Sequence, residues 1–152
     1  MRILVDADAT PAVIKEILFK TSNRLKLKVI LVANQKMRIP KSDLIENIVV
    51  SSGFNVADDH IVDIVQEGDL VITSDIPLAE RVINKNSFVF TPRGEILDDE
   101  NIGERIAMRN LMEELRSGGI DSGGPPPFGK KDKEEFTRQL DKFLTRQLKS
   151  SQ

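Results

Sequence analysis

Asp6 and Asp8 flank Ala7 immediately after the apolar run Ile3-Leu4-Val5, and Asp75 comes just after a second such run, Leu70-Val71-Ile72-Thr73. Carboxylates at the ends of buried strands stand at one edge of a sheet, where open α/β folds build their sites. If the chain stays extended through Asp8, Asp6 and Asp8 point to the same side. Asp58, Asp59 and Asp63 lie on or just before a helix expected to begin near that edge, and Asp59 and Asp63, four apart, share a helix face. Carboxylates crowded in this way repel each other, so they need a cation or raised pKa values. Oxygen-only ligands suit Mg²⁺ or Mn²⁺. One or two such ions would activate water and neutralise charge on a phosphodiester.

Each acid also has a plainer role. Asp is a preferred N-cap, and Asp58, Asp59 and Asp75 taken singly suit capping. Asp6 and Asp8 suit it less, because Thr10 is placed to cap the helix that follows. His60 is the sole histidine, and in a first helical turn it reads as structural rather than as a metal ligand. Arg93, after the last strand, is placed either to bind a phosphate bidentately or to pair with an Asp and hold the site.

The elements that must position these residues are legible from apolar periodicity. Strands are expected at 3–5, 27–32, 48–50, 70–73 and 88–90. A helix starts at Thr10-Pro11, with Thr10 as N-cap and Pro11 at the first helical position. Others start near Asp58 or Asp59 and near Ser74 or Asp75. Near-continuous apolar strands alternating with amphipathic helices indicate a mostly parallel sheet covered on both faces. The expectation is a single α/β domain over 1–152: a three-layer sandwich with a five-stranded core at 1–91 and a helical extension at 92–152. That extension holds helices at 101–116 and 131–149 and a Gly/Pro-rich loop at 117–129.

Composition narrows the function classes. With no cysteine, disulfides, zinc–thiolate sites and thiol nucleophiles are excluded. Seven Phe, with no Trp or Tyr, argue against a platform of stacked aromatics for single strands. The N-terminus has no signal-peptide h-region, and no apolar run approaches a membrane span, so the expected location is cytoplasmic, without a membrane partner. Residues 20–42 hold seven Lys or Arg and no acid, residues 43–80 hold nine acids and no Lys or Arg, and residues 125–152 hold seven bases and four acids. An acidic middle between basic flanks suits a cation at the centre and a polyanion around it.

Read together, several segments resemble the YaiI/YqxD family almost end to end. They are Val5-Asp6-Ala7-Asp8-Ala9-Thr10-Pro11, the Gly53–Asp59 stretch GFNVADD, the Gly68–Ala79 stretch GDLVITSDIPLA, Pro92-Arg93-Gly94-Glu95, and Gly-Gly-Pro-Pro-Pro-Phe at 123–128. Many members have Cys where this chain has Thr10. The resemblance implies a fold of the PIN-like nuclease type. On that likeness Asp6 or Asp8 corresponds to the first-strand Asp, Asp59 or Asp63 to the helix Asp, and Asp75 to the late-strand Asp. Glu16 is the nearby candidate for an early-helix Glu.

The implied activity is phosphodiester hydrolysis with Mg²⁺ or Mn²⁺, on RNA before DNA. Asp6, Asp8, Asp59 and Asp75 would be catalytic, and Asp63 would join them as a metal ligand. Leu4–Thr10 also resembles the first motif of haloacid-dehalogenase-type phosphatases. There Asp6 would be the nucleophile, Asp8 the acid/base, and Thr73 or Ser74 the phosphate-binding hydroxyl. A third alternative is a non-catalytic module that binds RNA or a protein through the basic flanks.

Overall fold

The computed structural model describes residues 1–120, 124 and 126–150. The Gly/Pro run at 123–128 therefore lies partly outside the described residues. In chain order the elements are β1 (Ile3–Asp6), a 3₁₀ turn (Ala7–Ala9), α1 (Ala12–Leu25), β2 (Val29–Ala33), β3 (Ile45–Val49), α2 (Val56–Ile64), β4 (Leu70–Ile72), α3 (Ile76–Ile83), β5 (Phe88–Phe90), β6 (Ile96–Leu97), α4 (Ile102–Ser117) and α5 (Lys130–Ser150).

The strands form one sheet in the order β3-β2-β1-β4-β5-β6. All neighbours are parallel except β5 and β6. Five strands were expected; the sixth has two residues, too short for any periodicity to reveal. It pairs back on β5 through the turn Thr91-Pro92-Arg93-Gly94, closed by the Gly94 amide on the Thr91 carbonyl at 3.0 Å.

Strand residues alternate between two cores, as a two-residue period requires. Ile3, Val5, Val29, Leu31, Leu70, Ile72 and Phe90 face α1 and α5. Leu4, Ile30, Val32, Val71 and Val89 face α2, α3 and α4. The result is a three-layer α/β sandwich. Each fully buried Val, Leu or Ile contributes about 1.5–3 kcal/mol of transfer free energy.

The segment beyond residue 91 supplies part of both outer layers. Phe136, Leu140, Phe143 and Leu144 of α5 are buried over the sheet, with the Phe143 ring 5.0 Å from those of Phe88 and Phe90. Ile102 of α4 is buried on the opposite face.

At the amino edge, Arg2 donates from Nε and Nη2 to Asp69 Oδ2 at 3.2 and 2.7 Å, and from Nη2 to the Ile64 carbonyl at 2.7 Å. This ties the start of β1 to the end of α2. No helix among the described residues is long and apolar enough to cross a membrane.

A candidate acidic site at the switch point of the sheet

β2 lies on one side of β1 and β4 on the other, so the chain's winding reverses between β1 and β4. The crevice outside the carboxyl ends of two such strands is where doubly wound sheets hold ligands. Asp6 ends β1, and Thr73, Ser74 and Asp75 follow β4. Where dinucleotide-binding folds place a glycine-rich loop after the first strand, this chain reads Asp6-Ala7-Asp8-Ala9.

Thr73 ties the two strand ends together. Its buried hydroxyl donates to Asp6 Oδ2 at 2.9 Å and accepts from the Asp75 amide at 3.0 Å. Asp75 is the N-cap of α3, its Oδ1 accepting from the Leu78 amide at 2.9 Å. The capping role expected for Asp75 and its place in the acidic cluster are thus compatible, since the cap occupies one carboxylate oxygen.

The third carboxyl is Asp58, in the first turn of α2. Its pKa is pushed up to about 6, by burial first, then by the charges of Asp75 and Asp6 and by the nearness of the Asp75 carboxyl; Arg81 opposes the shift. The Asp6 pKa is also raised, chiefly by burial, with further contributions from Asp75 and Asp8, while the Thr73 hydrogen bond pulls it down. Asp6, Asp58 and Asp75 therefore form one electrostatically coupled group.

The other expected site residues are placed differently. The chain does not stay extended after Asp6. The 3₁₀ turn, held by the Thr10 hydroxyl on the Asp6 carbonyl at 2.8 Å, swings Asp8 to the surface, where Oδ2 accepts from the Asn34 amide at 2.7 Å. Thr10 is accordingly not the cap of α1; Pro11 holds that position without a side-chain hydrogen bond. Asp59 is exposed and pairs with Arg81 Nη1 at 2.8 Å. Asp63 lies at the far end of α2, beside Ile64, whose carbonyl binds Arg2 at the amino edge; a rise of about 1.5 Å per residue separates it from the cluster. Glu16 lines a groove with Phe19, Met37 and Pro40.

Arg93 takes the pairing role, donating to Asp132 Oδ2 at 2.9 Å and the Pro126 carbonyl at 2.6 Å. Ser74 is exposed and lines a cleft beside the cluster.

Asp58 carried a signal that spacing alone contained. It precedes Ile61, Val62 and Val65 by three, four and seven residues, so it heads the inward stripe of α2. Asp59 is rotated by about 100° from that stripe, because a helix turns once in about 3.6 residues. Thr73 gave no such signal, since a strand-end Thr is common.

Three carboxyl groups supply only oxygen donors, which matches a hard divalent cation in kind. Among the described residues, no three or more His, Asp or Glu side chains are already arranged to hold a metal ion. Thr73 engages one oxygen of Asp6, and Leu78 one of Asp75. Asp58 and Asp75 stand close enough that each charge opposes the other. The three acids thus share the donor chemistry of a hard-cation site without the arrangement of one.

The basic segments on either side share one layer. Arg24 of α1 pairs with Asp141 of α5 at 3.0 Å. Lys15 Nζ reaches the Ala7 carbonyl at 3.2 Å, and Lys15, Lys20 and Arg38 border the groove of about 540 Å³ that Glu16 lines.

Residues 4–146 match the family model described as "Uncharacterized BCR, YaiI/YqxD family". A "UPF0178 protein" of Maridesulfovibrio salexigens is 57% identical over 148 residues, covering 97% of this chain and 98% of the relative. One from Hydrogenovibrio crunogenus is 52% identical over 146 residues, with 96% and 97% covered. One from Hahella chejuensis is 53% identical over 150 residues, with 99% and 100% covered. No solved structure matches the chain significantly.

Proposed function

The chain belongs to the YaiI/YqxD family, and we propose that the protein hydrolyses phosphodiesters of nucleic acid with a divalent metal ion held at Asp6, Asp58 and Asp75. One observation carries this reading. Three carboxyls meet at the switch point of a parallel sheet, two of them with raised pKa values. Structural economy alone does not call for such a cluster, since like charges held together oppose folding unless a proton or cation neutralises them. The PIN-like kinship implied by the motifs belongs to this proposal.

When bound, Mg²⁺ or Mn²⁺ would supply an activated water and neutralise charge developing on the phosphate. The chain's own residues do the rest. Thr73 fixes the Asp6 carboxylate and the Asp75 backbone in one frame. The Leu78 amide orients Asp75. Asp58, once deprotonated, completes the anionic set. Asp8 lies near enough to Asp6 to raise its pKa and lines the approach rather than the cluster. Lys15, Lys20 and Arg38 extend a cationic surface from the site, which draws in a polyanion and makes binding weaken as salt rises.

The geometry does not favour covalent attack by Asp6. Its carboxylate is buried and bonded to Thr73, and Asp8 is turned away onto Asn34 rather than poised as a neighbouring acid.

The test is cleavage of end-labelled single-stranded RNA and DNA with Mn²⁺, Mg²⁺ or EDTA. Slow, metal-dependent cleavage of RNA, weakening with salt, is expected. Absence of cleavage with any divalent ion, together with RNA binding that persists in EDTA, would replace this reading with a binding module.

A further inference from the structure

Beside the cluster lies a cleft that the carboxyls do not account for. It measures about 440 Å³, and Ser74, Pro92, Arg93, Glu95, Arg105 and Phe128 are among its lining residues. That volume suits a small ligand or one unit of a larger one. Ser74 is adjacent in sequence to Asp75, so the cleft abuts the acidic site.

Its two guanidinium groups are in different states. Arg93 is committed to Asp132 and to the Pro126 carbonyl, with its guanidinium carbon 5.7 Å from the centre of the Phe128 ring. Arg105 is committed in part. Its Nη2 pairs with Glu95 Oε1 at 3.3 Å, while its Nε is buried with no hydrogen-bond partner among the described residues. A guanidinium carries five N–H donors in a fixed fork that matches phosphate oxygens, and a buried donor left unpaired is a departure that asks for an explanation. Pro92 and Phe128 add apolar surface to the same cleft. An oxyanion carried on a planar apolar group would meet both kinds of lining.

We infer that this cleft binds a nucleoside monophosphate unit, with its phosphate against Arg105 and Ser74 and its base against Phe128 and Pro92. That unit would be the nucleotide next to the phosphodiester at Asp58 and Asp75, which rests on the hydrolytic reading above. The binding itself needs no metal. Arg93 acts as a positioning residue: it holds Phe128 and α5 in place and keeps the apolar wall upright.

The experiment is calorimetric titration in EDTA at low salt, with AMP, inorganic phosphate and adenosine as separate probes. Saturable AMP binding is expected, with adenosine much weaker. Arg105→Gln should weaken AMP by about tenfold or more, the loss of a charge-assisted contact. Phe128→Ala should weaken AMP but not inorganic phosphate. Amide resonances of wild-type Ser74 and Arg105 should shift on adding AMP, which tests the site without any variant. No saturable AMP binding, unchanged affinity in Arg105→Gln, or shifts confined to another surface would overturn the inference. AMP binding in EDTA without cleavage under any divalent ion would keep this cleft and sink the hydrolase. Metal-dependent cleavage with an unchanged KM in Arg105→Gln would do the reverse.

Discussion

The carboxyl of Asp58, from the first turn of α2, stands against the carboxyl of Asp75, the residue that caps α3, and the closeness helps to raise the Asp58 pKa. Two helices that converge on the carboxyl edge of the sheet thus bring their acids together above a third, Asp6 at the end of β1. The cluster's energetics follow from that closeness: a proton on Asp58 relieves the repulsion, and its loss restores it.

The first prediction is a pH dependence in metal-free buffer. The Asp58 pKa is pushed up to about 6 in the folded protein, from the 3.8 of a free side chain. Between those values the folded state holds a proton that the unfolded state has released, so stability declines as pH rises. This contribution is fully present below the unfolded pKa and lost as pH passes through about 6. Melting temperatures of wild type and Asp58→Asn, measured from pH 4 to 8 with EDTA, isolate it. The variant should gain on wild type across the window and be the more stable at the upper end. A wild type that gains on the variant as pH rises would refute the assignment.

The second separates the two roles of Asp75. Asn caps a helix about as well as Asp and removes a charge from the cluster, whereas Ala loses the cap at a cost of about 0.5–2 kcal/mol. Chemical denaturation in EDTA at neutral pH should place Asp75→Asn at or above wild type and Asp75→Ala below both. Equal losses in the two variants would show that the charge does not matter and that only packing does.

Much of the frame that carries these residues was legible in the sequence, and the parts that were not have specific physical causes. Buried parallel strands are apolar throughout, so β1, β4 and β5 stood out, and Asp6 and Asp75 could be placed at one edge. The sequence does not show which way Asp8 turns, because the local turn depends on where Thr10 sends its hydroxyl, and a Thr before Pro resembles an N-cap. Nor does it separate Asp58 from Asp59 while the helix start is placed at the acids themselves. Beginning α2 at Val56 turns Asp58 inward and leaves Asp59 to Arg81. Asp63 shares a helix with the cluster but not an end of it, a distinction that requires knowing how α2 lies on the sheet. Arg105 sits on a mostly exposed helix, and only the β5–β6 turn beside it reveals the cleft.

The third prediction concerns that turn. Gly94 has φ of 88°, and a Cβ there would lie 2.8 Å from the Phe136 nitrogen and 2.9 Å from the Glu135 carbonyl carbon. Both obstacles are backbone of α5 and cannot rotate away. Gly94→Ala should therefore cost about 2–4 kcal/mol, combining left-handed strain with overpacking, and should loosen α5 against β5. Urea denaturation checks this; a loss below about 1 kcal/mol would mean that the turn can retreat from α5.

In the proposed cation site Asp58 joins Asp6 and Asp75, and Asp59, next to it in sequence, takes no part. Thermal-shift titration with Mn²⁺ at neutral pH on wild type, Asp58→Asn and Asp59→Asn separates the two acids. Mn²⁺ should stabilise wild type and Asp59→Asn alike, in a saturable manner, and should leave Asp58→Asn nearly unmoved. Equal stabilisation of all three proteins, or loss of the response in Asp59→Asn alone, would contradict it.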